Sequence, residues 1–98
     1  MYVKIQDSTR KYKKLMAIFY DNDKKKIKTV HFGNSLYQDF TQHHDEQRRA
    51  NYINRHFGNE DWENPMTAGA LSRYILWQYT DIDRSINSYL KRFNLKLL

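Results

Sequence analysis

The N-terminal third of the chain alternates between apolar and polar positions, as strands with one buried side do. In residues 2–6, Val3 and Ile5 fall on the same side, and residues 26–32 alternate in the same way. Because successive side chains of a strand point to opposite faces, each of these two segments predicts a short β-strand.

The stretch between these two strands, residues 11–20, is apolar on both sides from Leu15 onward. That composition is typical of a strand whose two faces are both covered, and a buried helical segment has it too. The Asp and Asn residues at positions 21–24 favour a turn, because their side chains hydrogen-bond the local backbone. We therefore expect residues 11–32 to form a β-hairpin.

Beyond Gly33 the period of the apolar positions lengthens from two to about 3.6, which indicates helices. The three expected helices run from Thr41 or Asp45 through Phe57, from Asn64-Pro65 to about Gln78, and from the capping-box-like Thr80–Asp83 to Phe93. The second helix is apolar almost all round, which is typical of a central, buried helix. A glycine inside it costs about 1 kcal/mol relative to alanine, so Gly69 indicates close approach of a neighbouring backbone.

These elements predict an α+β fold, with an N-terminal antiparallel β-hairpin or three-stranded sheet followed by three α-helices. A length of 98 residues suits one domain, 1–98, with a basic β-hairpin region at 1–33 and a three-helix region at 41–93. The apolar C-terminal residues Leu95, Leu97 and Leu98 are expected to dock on the protein's own sheet or on a partner.

The distribution of charge changes this picture. Residues 1–30 alone carry a net charge of +6, whereas basic and acidic residues balance in residues 31–98. The densest cluster, at the predicted hairpin turn, consists of Lys24, Lys25, Lys26 and Lys28. Clustered positive charge favours an acidic partner such as nucleic acid or an acidic protein surface. The alternative is a solvated, lysine-rich sheet edge that prevents strand-to-strand aggregation.

A second basic surface is predicted on the first helix, where Arg48, Tyr52 and Arg55 share one face. Such a face can lie along phosphates, with the aromatic ring stacking on a base. It can equally pair with the acidic loop formed by Glu60, Asp61 and Glu63, and we expect this intramolecular pairing to dominate.

The most prominent group of potentially functional polar residues comprises Asp39, His43, His44, Asp45, Arg48, Arg49, Arg55 and His56. Its spacing matches no known metal-binding or catalytic motif, and three glycines are too few for most nucleotide-binding loops. We expect a polar network that ties the hairpin to the first helix, with Asp45 capping that helix or pairing with an arginine. A ligand site at His43, Asp45 and His56 is the alternative, while catalytic residues, a metal and a cofactor are not expected.

Cysteine is absent, which excludes disulfides, thiol nucleophiles and iron–sulfur ligation. The N-terminus lacks the apolar run of a signal peptide, and the longest apolar stretch is too short to span a bilayer. We therefore expect a protein that is not secreted and has no membrane partner.

The middle and C-terminal parts, residues 32–93, carry a series of residues in one order. They are Phe32-Gly33, Tyr37-x-Asp39-Phe40-Thr41-x-His43-x-Asp45, Arg48, Tyr52-Ile53-x-Arg55-His56, Glu60-Asp61-Trp62, Thr67-Ala68-Gly69, Ser72-Arg73, Leu76-Trp77 and Ser85-Ile86-x-x-Tyr89. This series resembles a family of small uncharacterised proteins of the large double-stranded DNA viruses of eukaryotes, of giant-virus type. The chain departs from that family at Gln47, Ala50, Asn51 and Gln78-Tyr79.

The resemblance implies a viral context and transfers no catalytic residues. The first functional hypothesis is a non-enzymatic virion structural, minor capsid or internal interaction protein. The alternative is a nucleic-acid-binding accessory protein that uses the basic N-terminal hairpin. The expected partners are other virion proteins, nucleic acid or both, with no small-molecule substrate. The expected location is the virion or the host-cell cytoplasm or nucleus.

Overall fold

A computed structural model describes all 98 residues of the chain. Three strands come first: β1 (Tyr2–Asp7), β2 (Lys13–Tyr20) and β3 (Lys26–Asn34). The helices follow as α1 (Phe40–His43), α2 (Glu46–His56), α3 (Ala68–Leu71) with a π-helical turn at Ser72–Leu76, and α4 (Ile82–Phe93). A short strand, β4 (Lys96–Leu97), ends the chain. The predicted α+β class, with strands before helices, is confirmed.

The four strands form one mixed sheet in the order β3-β2-β1-β4. β1 and β3 pair antiparallel with β2, as the hairpin prediction requires, whereas β4 pairs parallel with β1. Two backbone bonds attach the C-terminus, from Lys96 N–H to Met1 O at 3.2 Å and from Leu98 N–H to Val3 O at 3.0 Å. The apolar terminus therefore docks on the protein's own sheet, with Leu95 buried beneath it.

The hydrophobic core lies between one face of the sheet and the helices. Its fully buried members from the strands and the helices are Val3, Ala17, Phe19, Phe32, Leu71, Ile75 and Tyr89. The Tyr89 hydroxyl, buried with its ring, donates to the carbonyl oxygen of Pro65 at 2.7 Å. The bond satisfies a polar group that would be costly to bury without a partner.

The predicted first helix is two helices. His44 adopts a left-handed conformation (φ 56°) and ends α1, so the chain changes direction before α2 begins. Asp39 and Asp45 cap the two helices in turn, each accepting a hydrogen bond from a backbone N–H of the first turn. Each helix thus has its own start signal.

The predicted second helix begins later than Asn64-Pro65, and that expectation is wrong. Thr67 is the N-cap, since its hydroxyl accepts from Ala70 N–H at 3.1 Å. The segment is also not uniformly α-helical, because Trp77 N–H bonds to Ser72 O and closes a π-helical turn.

Gly69, inside this segment, packs closely against a side chain and not against a neighbouring backbone. A Cβ there would collide with Glu60 Oε2. The prediction of close packing at Gly69 is correct, but its partner was wrongly identified.

The last helix, α4, lies where it was expected, although its N-cap is Asp81 and not Thr80. The Asp81 carboxylate accepts from Asp83 N–H at 2.9 Å and Arg84 N–H at 3.4 Å, which a threonine one residue earlier does not do. None of the helices combines the length and apolar character needed to cross a lipid bilayer.

Candidate polyanion-binding cleft

A cleft of about 870 Å³ opens between α2, the ends of β2 and β3, and the α3 segment. Three of the seven predicted polyanion-binding residues line it: Arg48, Tyr52 and Arg55. Lys13 and Lys14 at the start of β2 face the same space. The cleft therefore joins the basic helix face to two lysines that the sequence did not connect with it.

One wall of the cleft is a buried ion pair between the sheet and α1. Lys14 Nζ donates to Asp39 Oδ2 and to Gln42 Oε1, each at 2.6 Å. Asp39 is only 3% exposed and also accepts from Thr41 N–H at 2.9 Å, while Gln42 Oε1 accepts from Asp39 N–H at 3.0 Å. This capping box and ion pair hold β2 against α1, so the charge of Lys14 is already matched.

At the end of β3, the backbone conformation of Gly33 and its close approach to Leu76 both favour glycine. Its φ of +82° is rarely adopted by residues with a side chain. A Cβ there would also stand 2.7 Å from Leu76 Cδ1. Glycine thus lets the strand end pass close to the α3 segment.

The junction between α1 and α2 accounts for most of the predicted His/Asp cluster. Asp45 caps α2 by accepting from Gln47 N–H and Arg48 N–H. His43 Nδ1 accepts the Asp45 backbone N–H at 2.9 Å, and its ring packs 5.3 Å from that of Trp77. Burial, assisted by the positive charge of Arg48, lowers the pKa of His43. His43 and Asp45 therefore serve the fold of this junction.

Tyr52 lies in an aromatic stack at the centre of the α2 face. Its ring is parallel to Trp77 at 4.2 Å, and His56 covers the other side at 4.3 Å. With both ring faces occupied, Tyr52 has no surface on which a base could stack, which corrects that part of the prediction. Burial, then the carboxylate of Glu60, raises the pKa of Tyr52 to about 12, so its hydroxyl remains a hydrogen-bond donor at neutral pH.

The expected pairing of the α2 arginines with the acidic loop is wrong. Of that loop, only Glu60 forms an ion pair, and its partner is His56 at 3.2 Å. Arg48 and Arg55 are exposed and have no carboxylate oxygen within 4.0 Å. The same is true of Lys13. The cleft thus presents three unpaired cations, while its two carboxylates, Asp39 and Glu60, already pair with Lys14 and His56 of the same cleft.

The other four predicted residues, Lys24, Lys25, Lys26 and Lys28, lie at the opposite end of β2. At about 3.4 Å per residue, that end is roughly 24 Å from the cleft. All four are exposed, and Lys24 has a positive φ of 65° in the turn. The seven residues therefore form two separate basic surfaces and not one.

Lys13, which the sequence analysis did not assign to a site, reaches the cleft through the pairing of β2 with β3. Its register partner is Asn34, which also lines the cleft. No local signal marks this, since the cleft forms only when the hairpin end meets α2. No group of three His, Asp or Glu side chains lies together in a metal-binding arrangement.

Fold and cleft together define a small α+β protein with a basic, concave surface beside a mixed sheet. The model of DUF5754, a family of unknown function, matches residues 3–56, which is more than half of the chain. The protein belongs to this family. The match spans β1 to α2 and so includes the cleft's arginines. Comparisons with curated proteins and with solved structures give no match.

Proposed function

We propose that this protein is a non-enzymatic binding protein whose cleft holds the phosphate backbone of a nucleic acid. The observation that carries the proposal is the set of unpaired cations, Lys13, Arg48 and Arg55, that open onto one cleft. The planar guanidinium of arginine matches a phosphate with two parallel hydrogen bonds. A cleft lined by charges of one sign also concentrates a ligand of the opposite sign.

The spacing of these groups suits a polymer. Arg48 and Arg55 are seven residues apart on α2, which separates them by about 10 Å along the helix axis. At that spacing the two guanidiniums contact different phosphates of one strand. Tyr52 lies between them with a protonated hydroxyl that can donate to a phosphate oxygen.

The test is a binding titration with fluorescein-labelled DNA and RNA oligonucleotides at several salt concentrations. Binding through phosphates weakens as salt rises, with a slope of about 0.7–0.9 per phosphate contacted. The double substitution Arg48→Gln/Arg55→Gln should reduce affinity about tenfold or more at low salt and lower the slope by about 1.4–1.8.

A matched control removes the same charge elsewhere. Lys91 and Arg92 on α4 are exposed and lie outside both the cleft and the sheet. Lys91→Gln/Arg92→Gln should leave affinity within about twofold of the unmodified protein. The proposal fails if the protein has no affinity at low salt, or if the control loses as much affinity as the arginine variant.

A second candidate function is an interaction protein of a viral particle, either a minor capsid or an internal component of giant-virus type. The resemblance of residues 32–93 supports the viral context. Leu97, on the sheet's edge strand, and Leu98, which follows it, support a protein partner, since they are 55% and 48% exposed. Mass spectrometry of purified particles tests this candidate, and absence of the protein from them would exclude it.

A further inference from the structure

The sheet has one face covered by helices and one open face. The core cluster takes Val3, Phe19 and Phe32 from the strands, and these share the helix side. Their neighbours Ile18 and Tyr20 point the opposite way and do not belong to that cluster. β2 therefore has the composition of a strand covered on both faces, but helices cover only one of them. On the other face Met16 is buried beside Thr9, whereas Ile18 and Tyr20 are partly exposed.

The open face carries a row of register partners that crosses the sheet near the hairpin turn and contains two tyrosines. The row consists of Lys96 on β4, Tyr2 on β1, Tyr20 on β2 and Lys26 on β3, and the register of β2 with β3 shifts between Phe19 and Tyr20. Both tyrosines are partly exposed, so part of each ring is accessible. Strands lie about 4.8 Å apart, so the two rings are close enough to contact successive bases of one strand.

Lysines surround the two tyrosines of this row. Lys4, which pairs with Ile18 in the next row of the sheet, is exposed. Lys24 reaches back from the turn and lies over the Tyr2 ring, with its Nζ 5.5 Å from the ring centre, so a base that stacks on this side of Tyr2 displaces the ammonium group. Lys4, Lys24 and Lys26 all lack a carboxylate oxygen within 4.0 Å. The face therefore combines accessible rings with uncompensated positive charge.

The acidic residues nearest to these lysines do not neutralise them. In the turn, Asp21 Oδ1 accepts the backbone N–H groups of Asp23 and Lys25, each at 2.9 Å. Asp23 forms no ion pair and is exposed. The carboxylate of Asp21 thus shapes the turn that presents the lysines.

We infer that the open face of the sheet is a platform for single-stranded nucleic acid. Bases stack on Tyr20 and Tyr2, and the backbone phosphates contact Lys4, Lys24 and Lys26. Aromatic rings on a sheet surface bind unpaired bases, whose faces are free, whereas the bases of a duplex are stacked on one another. This surface lies at the other end of β2 from the cleft, so either proposal can fail alone.

The experiment compares binding of the full chain to a labelled twelve-nucleotide oligo-dT and to a duplex of the same length. The double substitution Tyr2→Leu/Tyr20→Leu keeps the positions apolar but removes the stacking surface. It should weaken oligo-dT binding about tenfold without changing the salt slope, because no phosphate contact is lost. Lys24→Gln/Lys26→Gln should lower the slope by about 1.4.

Tyr12→Leu is the matched control, since Tyr12 is 54% exposed at the far end of the sheet. It should bind oligo-dT within about twofold of the unmodified protein. Thermal unfolding of each variant establishes that the fold is retained, and the lysine variant tests the surface if the tyrosine variant does not fold.

The inference is overturned if duplex binds as tightly as oligo-dT, or if the tyrosine variant binds oligo-dT normally. It is also overturned if sedimentation shows that the unmodified protein dimerises through this face and the tyrosine variant does not. Arg48→Gln/Arg55→Gln separates the two proposals. If that variant keeps oligo-dT binding and the tyrosine variant loses it, the sheet face binds the strand and the cleft does not.

Discussion

The two basic surfaces of this protein are built in different ways. In the cleft, Lys14 is held by Asp39, and Tyr52 is stacked between two other rings. On the open face of the sheet, Lys24 and Lys26 are exposed and have no ion-pair partner. The cleft is therefore preorganised by groups that also hold the fold together, whereas the sheet face carries groups with no such second role.

This difference predicts at which surface a substitution can change binding without changing the stability of the fold. A substitution in the cleft wall is expected to affect both, because the same side chains cap a helix and join it to β2. A substitution on the open face is expected to affect binding alone, provided that the buried layer beneath it is intact. The predictions below test that separation.

The largest effect is expected from two neighbouring residues of β2 that face opposite ways. Phe19 is fully buried against the helices, so Phe19→Ala should cost about 3–5 kcal/mol of unfolding free energy. Ile18→Ala, on the open face, should cost about 1 kcal/mol. Urea denaturation followed by circular dichroism measures both. If both variants lost the same unfolding free energy, the face that carries Ile18 would also be covered, and the contrast between the cleft and the open sheet face would not hold.

A smaller effect is expected at the cleft wall. Asp39→Ala removes the cap of α1 and leaves Lys14 without its partner, so it should cost about 2–4 kcal/mol. Asp39→Asn retains the cap and should fall between this variant and the unmodified protein. Lys26→Ala on the open face should stay within about 0.5 kcal/mol. A loss at Lys26 as large as that at Asp39 would contradict the division of roles, and the same denaturation experiment measures it.

A smaller effect again is expected at Gly69, which lines the cleft next to Glu60. Gly69→Ala should gain nothing from its better helix propensity, because the new methyl group displaces Glu60. In a Glu60→Ala background the same change should stabilise the protein by up to about 1 kcal/mol. A double-mutant cycle measured by chemical denaturation therefore expects a coupling of about 1 kcal/mol. Additive effects would show that Glu60 does not require a glycine there.

Much of this fold could be predicted from the sequence, because it rests on local patterns. Alternation placed β1 and β3, the segment between them that is apolar on both sides placed β2, and the helical period of the last segment placed α4. By contrast, β4 is two residues long and exists only because it pairs with β1 across the whole chain. The left-handed His44 was missed as well, since residues other than glycine rarely adopt that conformation.

The candidate site divides in the same way. The shared face of Arg48, Tyr52 and Arg55 follows from helical spacing and was predictable. That Tyr52 is covered depends on Trp77, which arrives 25 residues later in the chain and from another element. Long-range packing therefore decides whether an aromatic residue on a basic face stacks on a ligand or on its own protein.

The smallest expected effect is a pH dependence located behind the cleft. His43 Nδ1 accepts a backbone hydrogen bond, so protonation at this nitrogen would break the bond between His43 and Asp45. Burial, with help from Arg48, lowers the pKa of His43 below that of a histidine in the unfolded chain, which is about 6.5. The unfolded chain then binds more protons than the folded one as the pH falls through about 6.5.

The contribution of neutral His43 to stability is therefore complete above about pH 6.5 and declines as the pH falls toward the lowered folded pKa. Denaturation from about pH 8 to pH 5 should show this decline. It should be smaller in His43→Asn, whose amide oxygen can accept the same N–H without titrating. His44→Asn is the control, since asparagine tolerates the left-handed conformation and leaves His43 in place. If stability falls with pH as much in His43→Asn as in the unmodified protein, other groups cause the pH dependence. The region behind the cleft would then not differ from the sheet face in its response to pH.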